Sequence, residues 1–194
     1  MQHTYEVTIE GVAPLIQNNP KAALDKKDGL VNSEKISKSQ QDPTEQWRTC
    51  VYRDKDGKTL LHPSEALEMA LTLSAKSFKA KGKGSMKTAV KASCFVDGEF
   101  MTLTNRTEPD EVKRMQPRNS LGQIVQYYAP VFSPGWRMEF KLDLLDDEIV
   151  TPAHLKSMLD FAGSRIGIGV HRPKYGRFMV VKFEEIETSS RRAA

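Results

Sequence analysis

The sequence contains little cysteine and no long apolar run. Two of its 194 residues are cysteine, Cys50 and Cys94, and neither belongs to a C-x-x-C pair. Such spacing excludes a disulfide framework and offers no zinc ligands. The chain also has no segment of roughly 18 apolar residues that could span a bilayer, and its first residues lack the basic-then-apolar pattern of a secretory signal. We therefore expect a cytoplasmic protein with reduced thiols and no membrane partner.

Motifs for nucleotide hydrolysis and metal chemistry are missing as well. The segment "GKGSMKT" lacks the glycine-lysine spacing of a P-loop, and "GIGVHR" lacks the third glycine of a dinucleotide fingerprint. None of the four histidines pairs with a carboxylate at metal-ligand spacing. We expect no cofactor and no metal.

Residue periodicity predicts two helices and two terminal strands. Apolar and polar residues alternate in "TYEVTIEGVAPLI", as in a strand with one wet face. A first helix is predicted over about 64–79, because Pro63 precedes apolar residues at helical spacing. The segment "TPAHLKSMLDFAG" predicts a second helix, with Thr151 as its N-cap and Gly163 at the C′ position. The segment "RFMVVKFEEIE" predicts a closing strand.

Three further segments predict hairpins. Short apolar arms flank Asp54–Gly57 in "CVYRDKDGKTLLH", and two extended arms surround Asp97–Gly98 in "AVKASCFVDGEFMTLT". A third pair, "GQIVQYYAPVF" and "WRMEFKLDLL", surrounds Ser133–Gly135. The order is then strand, helix, strands, helix, strand.

This order predicts an α+β fold with a ferredoxin-like or RRM-like β-α-β-β-α-β core. The length suits a single domain over 1–194. Residues 17–46 are polar with few apolar side chains, so we expect a long mobile insertion there. An extra β-hairpin is expected in the region of about 105–135.

Basic residues concentrate in two segments. Residues 76–91 carry six lysines and no acid, and "GSRIGIGVHRPKYGRF", residues 163–178, carries four cations and no acid, although the net charge of the whole chain is only +4. Lysines interleaved with glycines can contact the phosphate backbone along a strand without recognising its bases. The glycines of 163–178 permit close approach to a ligand or a positive φ. A structural alternative stays open, in which the glycines only shape a tight passage and the cations are solvated.

Both segments together predict a site for a polyanion such as nucleic acid. Tyr175, inside the polar loop, is the aromatic residue best placed to stack a base. The predicted contacts are Lys76, Lys79, Lys81, Lys83 and Lys87 in the first segment, and Arg165, Gly167, Gly169, His171, Arg172, Lys174, Tyr175, Gly176 and Arg177 in the second.

Catalysis is an alternative to binding alone. His171 could act as a general base for RNA cleavage, although a binding contact explains its position among glycines and arginines better. His62, just before Pro63, is the second candidate base, with a structural role as its alternative. Asp25 and Asp28 in the insertion are candidate acids, and solvated side chains are the simpler interpretation.

The glycine-rich loop between the last helix and the last strand resembles that of the RAMP superfamily, the repeat-associated mysterious proteins that bind RNA in CRISPR systems. The segment "KTLLHPSEALEMAL" is similar to the strand, Pro-Ser turn and helix of the same superfamily. The resemblance implies that Gly167, Gly169, Arg172, Lys174 and Gly176 contact the phosphodiester backbone. It also implies that Ser64 lies at the helix entrance near the bound RNA.

The long insertion and the extra hairpin look most like the backbone subunits that polymerise along guide RNA. This resemblance implies copies of the chain along the strand, together with other subunits of a ribonucleoprotein complex. The chain is short for such a subunit and lacks the glycine that often follows the proline, so a phage or mobile-element relative remains open.

We expect a non-catalytic protein that coats single-stranded nucleic acid, RNA rather than DNA, without reading its sequence. The alternatives are a metal-independent endoribonuclease, a single-stranded DNA-binding phage protein and an interaction scaffold that binds no nucleic acid.

Overall fold

The computed structural model describes residues 3–19, 43–79, 85–118, 121–124, 126–145 and 148–186. Short turns of 3-10 helix occupy Pro43–Cys50 and Ala75–Ser77, and a π-helical turn occupies Ala162–Ile166. The helices are α1 (Ser64–Ser74), α2 (Lys87–Ser93) and α3 (Pro152–Phe161). The strands are β1 (His3–Gly11), β2 (Leu15–Ile16), β3 (Leu60–Pro63), β4 (Cys94–Val96), β5 (Phe100–Leu103), β6 (Glu111–Met115), β7 (Tyr127–Phe132), β8 (Arg137–Leu144) and β9 (Phe178–Ile186).

The main sheet is antiparallel and has the strand order β3-β5-β8-β1-β9, with β4 also paired to β8. Val7 in the central strand β1 lies opposite Phe140 of β8 and Phe183 of β9. Without β3, the order is that of a β-α-β-β-α-β unit in which the two outer strands flank a central pair. The predicted ferredoxin-like α+β core is therefore confirmed.

Alternation along the strands places the core on one face of this sheet. Val7, Ile9 and Met138 are buried and belong to one cluster with Leu67 of α1 and Leu155 of α3. Burying each such side chain stabilises the fold by roughly 1.5–3 kcal/mol. The helices thus cover one face, and charged side chains populate the other.

A second, three-stranded sheet has the order β2-β7-β6. Strands β6 and β7 are antiparallel, from Glu111 opposite Val131 to Met115 opposite Tyr127, which confirms the predicted extra hairpin. Ile16, Ala129 and Val131 form a small apolar cluster with Tyr175 of the glycine-rich loop. The second sheet consequently rests on that loop.

Two predicted hairpins are wrong. Strands β4 and β5, on either side of Asp97–Gly98, do not pair with each other, since both pair with β8. The residues before β4 form helix α2 and not an extended arm. Strands β7 and β8, on either side of Ser133–Gly135, belong to different sheets. Gly135, with φ +90°, donates its N–H to the Gly11 carbonyl at 2.7 Å, so the chain crosses here from the second sheet to the main one.

The helix ends differ partly from the predictions. Thr151 caps α3 as predicted, because its Oγ1 accepts the N–H of His154 at 3.3 Å. Helix α1 ends at Ser74 and continues only as a 3-10 turn. Gly163 is not a C′ residue, since the π-helical turn carries the chain on to Gly167. A side chain at Gly163 would overlap the backbone and ring of Phe178, so the glycine lets α3 approach β9 closely.

The predicted mobile insertion falls mainly on residues 20–42, which lie outside the described residues together with Asp25 and Asp28. Its predicted start at residue 17 is wrong. Gln17 is only 1% exposed, and the Asn19 N–H bonds the Cys50 carbonyl at 3.0 Å. In the described part of the chain, no helix has both the length and the apolar character needed to cross a bilayer.

Candidate nucleic-acid interface

Three glycines shape the loop between α3 and β9. Gly167, Gly169 and Gly176 have φ values of +75°, +76° and +73°, a region that side chains with a Cβ rarely occupy. Gly176 donates its N–H to the Pro14 carbonyl at 2.8 Å and accepts the N–H of Ile168 at 2.9 Å. The loop backbone therefore packs closely against neighbouring backbone, and this packing requires glycine at these positions. Their contact with a phosphate backbone stays a prediction.

Three of the four predicted loop cations line one open cleft. Arg165, Lys174 and Arg177 surround it together with Ser164 and Pro173, in a volume of about 420 Å³. The three charged side chains are exposed, and no carboxylate of the described residues forms an ion pair with any of them. We call this cleft the cationic cleft.

Five other cations in the described part of the chain each form an ion pair with a carboxylate. The pairs are Arg53 with Glu108, Arg106 with Asp110, Arg137 with Glu10, Lys156 with Asp160, and Lys182 with Glu6. Because a cluster of unpaired like charges opposes folding by mutual repulsion, the cationic cleft is suited to an external anion.

The fourth loop cation, Arg172, points to helix α1. Its Nη2 lies 3.7 Å from the sulfur of Met69, a side chain that is 53% exposed on α1. The Arg172–Pro173 peptide is cis. Arg172 thus extends the basic surface from the loop toward the outer face of α1.

His171 connects the loop to the second sheet. It has φ +58°, and its Nε2 lies 2.6 Å from the hydroxyl of Tyr127 on β7. The His171 ring stacks on Tyr127 with centroids 6.3 Å apart and meets Tyr175 edge-on at the same distance. The described contacts of His171 therefore position the loop.

Tyr175 is buried, with 8% of its surface exposed. Lys113 of β6 donates to its hydroxyl at 3.3 Å, and the ammonium groups of Lys113 and Lys174 each lie 5.8 Å from its ring centre. This conformation leaves little ring area for a base, and base stacking by Tyr175 stays a prediction. Lys113 was missed by sequence reasoning, because an isolated lysine in a distant strand carries no local signal.

Two polar groups at the start of α1 are buried without a partner. His62 Nε2 and Ser64 Oγ find no hydrogen-bond partner among the described residues. Helix α1 begins after Pro63 with no side-chain cap, so the positive end of its dipole is also uncompensated by a cap. Ser64 is the first residue of α1, and its proximity to bound RNA stays a prediction.

The hydrogen bonds of the Gln17 side chain determine which ring nitrogen of neutral His62 carries the proton. The Gln17 side-chain oxygen accepts the N–H of Tyr52 at 3.1 Å, and its Nε2 donates to the Leu61 carbonyl at 2.7 Å. The same Nε2 lies 3.4 Å from His62 Nδ1, which must then be the acceptor. In neutral His62 the proton is consequently on Nε2, the nitrogen that has no partner.

Burial lowers the pKa of His62 to about 4 from its usual 6.5. The unfolded chain therefore binds a proton at His62 over a pH range in which the folded chain does not, and the free energy of unfolding falls as pH decreases through this range. The full loss corresponds to about 3 kcal/mol. We expect His62→Phe to remove this part of the acid sensitivity, measured by chemical denaturation at several pH values. Parallel pH profiles for the two proteins would contradict the assignment.

The lysine-rich segment begins at the opposite end of α1. Lys76, Lys79 and Lys87 are exposed, whereas Lys81 and Lys83 lie outside the described residues. The Phe78 ring meets Phe161, the last residue of α3, with centroids 6.0 Å apart. This contact brings the segment to the end of α3 from which Arg165 follows. Binding by these lysines stays a prediction.

No group of three metal-ligating side chains is found in the described ranges.

No protein-family model and no curated protein matches the sequence. Among solved structures, a chain from the cryo-EM structure of the Type III-B Cmr-beta bound to cognate target RNA is similar, with a TM-score of 0.53 and 9% sequence identity. The match covers 96% of this chain and 61% of that chain, so this chain spans less than two thirds of its neighbour's length. At this identity the likeness shows a shared fold.

Proposed function

We propose that this protein binds single-stranded RNA without cleaving it, as a subunit of a ribonucleoprotein complex. The observation that carries the proposal is the cationic cleft, where Arg165, Lys174 and Arg177 converge without a carboxylate partner. Guanidinium and ammonium groups bind phosphate oxygens through charge-assisted hydrogen bonds. Three such groups suit consecutive phosphates of a flexible strand.

The fold comparison supports the same proposal. The similar chain comes from an assembly that was solved with target RNA bound, and the glycine-rich loop resembles that of RNA-binding RAMP proteins. A backbone role, with copies of the chain along one RNA strand, is the specific form that we propose. Sequence-independent binding is expected, because the cations of the cleft suit phosphates and carry no base-reading pattern.

The two candidate bases support binding over cleavage. His171 Nε2 is engaged by the Tyr127 hydroxyl, and neutral His62 presents an N–H donor where a base would need a lone pair. In this arrangement the Nε2 of His171 is occupied and the Nε2 of neutral His62 is a donor, so neither Nε2 is a free base for an attacking hydroxyl.

The test begins with protein purified from the expressing cells without nuclease treatment. We expect excess absorbance at 260 nm that RNase removes and DNase does not. After RNase treatment and repurification, fluorescence anisotropy with a labelled single-stranded RNA should show an affinity that falls with salt, by a slope of about 0.7 per phosphate contact.

Two results would overturn the proposal. The first is an absence of salt-dependent RNA binding, which would favour an interaction scaffold. The second is cleavage of the labelled RNA in the presence of chelator, lost in His171→Ala, which would establish the endoribonuclease. Intact RNA under these conditions is the expected result.

A further inference from the structure

A second cleft separates the glycine-rich loop from the start of α1. It has a volume of about 150 Å³, well below the roughly 300–1,000 Å³ of sites that enclose a whole small molecule. It can therefore accept a part of a nucleotide. Its described lining includes Ile16, Gln17, His62, Pro63 and Gly169, and contains no lysine, arginine, aspartate or glutamate.

None of these lining residues has a side chain that is ionised at neutral pH. His62 is buried and uncharged there, and the others are apolar or neutral polar residues. A phosphate moved into such a place would lose its hydration without gaining an opposite charge, which is unfavourable. The cationic cleft lined by Arg165, Lys174 and Arg177 is the better phosphate site. We call this second cleft, beside His62, the neutral cleft. It suits an uncharged part of the strand.

One polar atom in this lining lacks a partner. His62 Nε2 carries a proton, as Gln17 dictates, and donates it to no described residue. A buried donor without an acceptor is costly, and a ligand acceptor would remove that cost. The apolar groups of Ile16, Pro63 and Ala66 in the same lining suit the carbon atoms of a sugar.

We propose that the neutral cleft holds a ribose of the bound strand, and that His62 Nε2–H donates to its 2′-hydroxyl. This inference rests on the proposed RNA binding and adds a basis for discrimination against DNA. The 2′-hydroxyl is the group that distinguishes RNA from DNA at a given position.

The Nε2 donor of His62 is buried. A side chain on Gly169 would meet His62 Cε1, the carbon between the two ring nitrogens, at 3.7 Å, so the Gly169 backbone lies close to this edge of the ring. Val170 donates its N–H to the Ile16 carbonyl at 3.2 Å, which closes the loop over the cleft. Binding therefore includes a shift of Gly169 and Val170, and the new hydrogen bond favours the shifted position.

The experiment compares one sequence as RNA, as DNA and as 2′-O-methyl RNA, in anisotropy titrations with wild-type protein, His62→Phe and the control His154→Phe. Phenylalanine keeps a ring of similar shape and removes the donor. His154 lies in the first turn of α3, next to its cap Thr151. We expect His62→Phe to lose about three- to tenfold in RNA affinity, as for one hydrogen bond, and to bind DNA as wild type does. His154→Phe should keep the preference for RNA.

The outcomes separate the two proposals. Wild-type protein that binds RNA and DNA equally would overturn the ribose assignment and leave RNA binding intact. An equal loss for RNA and DNA in His62→Phe would also overturn it, because the donor would then serve a phosphate or a base carbonyl. Wild-type protein that binds neither would overturn the proposed function together with this inference. Weak binding of 2′-O-methyl RNA by wild type supports a confined hydroxyl.

Discussion

Alanine at Arg165, Lys174 and Arg177 together is expected to weaken binding of single-stranded RNA by about tenfold or more at physiological salt. These three side chains line one cleft, and no carboxylate of the described residues pairs with them. Each phosphate contact that is lost also removes about 0.7 from the slope of log affinity against log salt. Anisotropy titrations over a salt series should therefore show a slope that is smaller by about 2.

The matched control variant removes the same number of positive charges, but at residues that form ion pairs. Arg106, Lys156 and Lys182 each form an ion pair with a carboxylate. Exposed pairs of this kind contribute only about 0–1 kcal/mol to stability, so the control triple variant should fold. We expect it to keep most of the RNA affinity. Equal losses in both triple variants would mean that net charge alone attracts RNA, and the cationic cleft would then have no special role.

Alanine at Gly176 is expected to lower the free energy of unfolding by about 3 kcal/mol or more. Gly176 has φ +73°, and a Cβ there would overlap the carbonyl group of Ile168. That carbonyl is backbone and belongs to the same tight loop, so it cannot move aside as a flexible side chain would. Urea denaturation followed by circular dichroism measures the loss.

Gly57→Ala is the control for the backbone conformation alone. Gly57 has φ +68°, similar to that of Gly176, but nothing lies within 4 Å of the position that a Cβ would occupy. The left-handed conformation should cost this variant about 1–2 kcal/mol. The difference between the two variants then measures the overlap with Ile168. Equal destabilisation would show that the loop has room at Gly176.

Local sequence patterns predicted the elements whose ends and faces are encoded locally. Alternation of Tyr5, Val7 and Ile9 predicted β1, and Thr151 with its following proline predicted the start of α3. The two wrong hairpins have a common cause. Gly98 and Gly135 do support turns, with φ +86° and +90°, but a turn does not determine which strands pair. That choice depends on the distant strand β8, which pairs with both β4 and β5.

Composition predicted which segments of the sequence are rich in positive charge, but it did not predict how the charged side chains are arranged in space. The loop sequence gave no sign that Arg165 would converge with Lys174 and Arg177 across the turn, or that Arg172 would lie against Met69. Lys113 and Gln17 were also not predicted. Lys113 contacts Tyr175 and Gln17 contacts His62, and in each pair the two residues lie more than forty positions apart in sequence. Tertiary packing determines such contacts, and no local pattern records them.

The crossing between the two sheets has a mechanical consequence. Trp136 is fully buried at this corner, its indole N–H bonds the Ala13 carbonyl at 2.9 Å, and a Cβ on Gly11 would overlap its ring. On the far side, Tyr127 holds His171. The small sheet and the glycine-rich loop are thus tied to each other, and the loop is also tied to the corner, because Gly176 donates its N–H to the carbonyl of Pro14, the residue after Ala13. We therefore expect changes at Trp136 to alter the orientation of the loop cations without altering the side chains that are proposed to bind RNA.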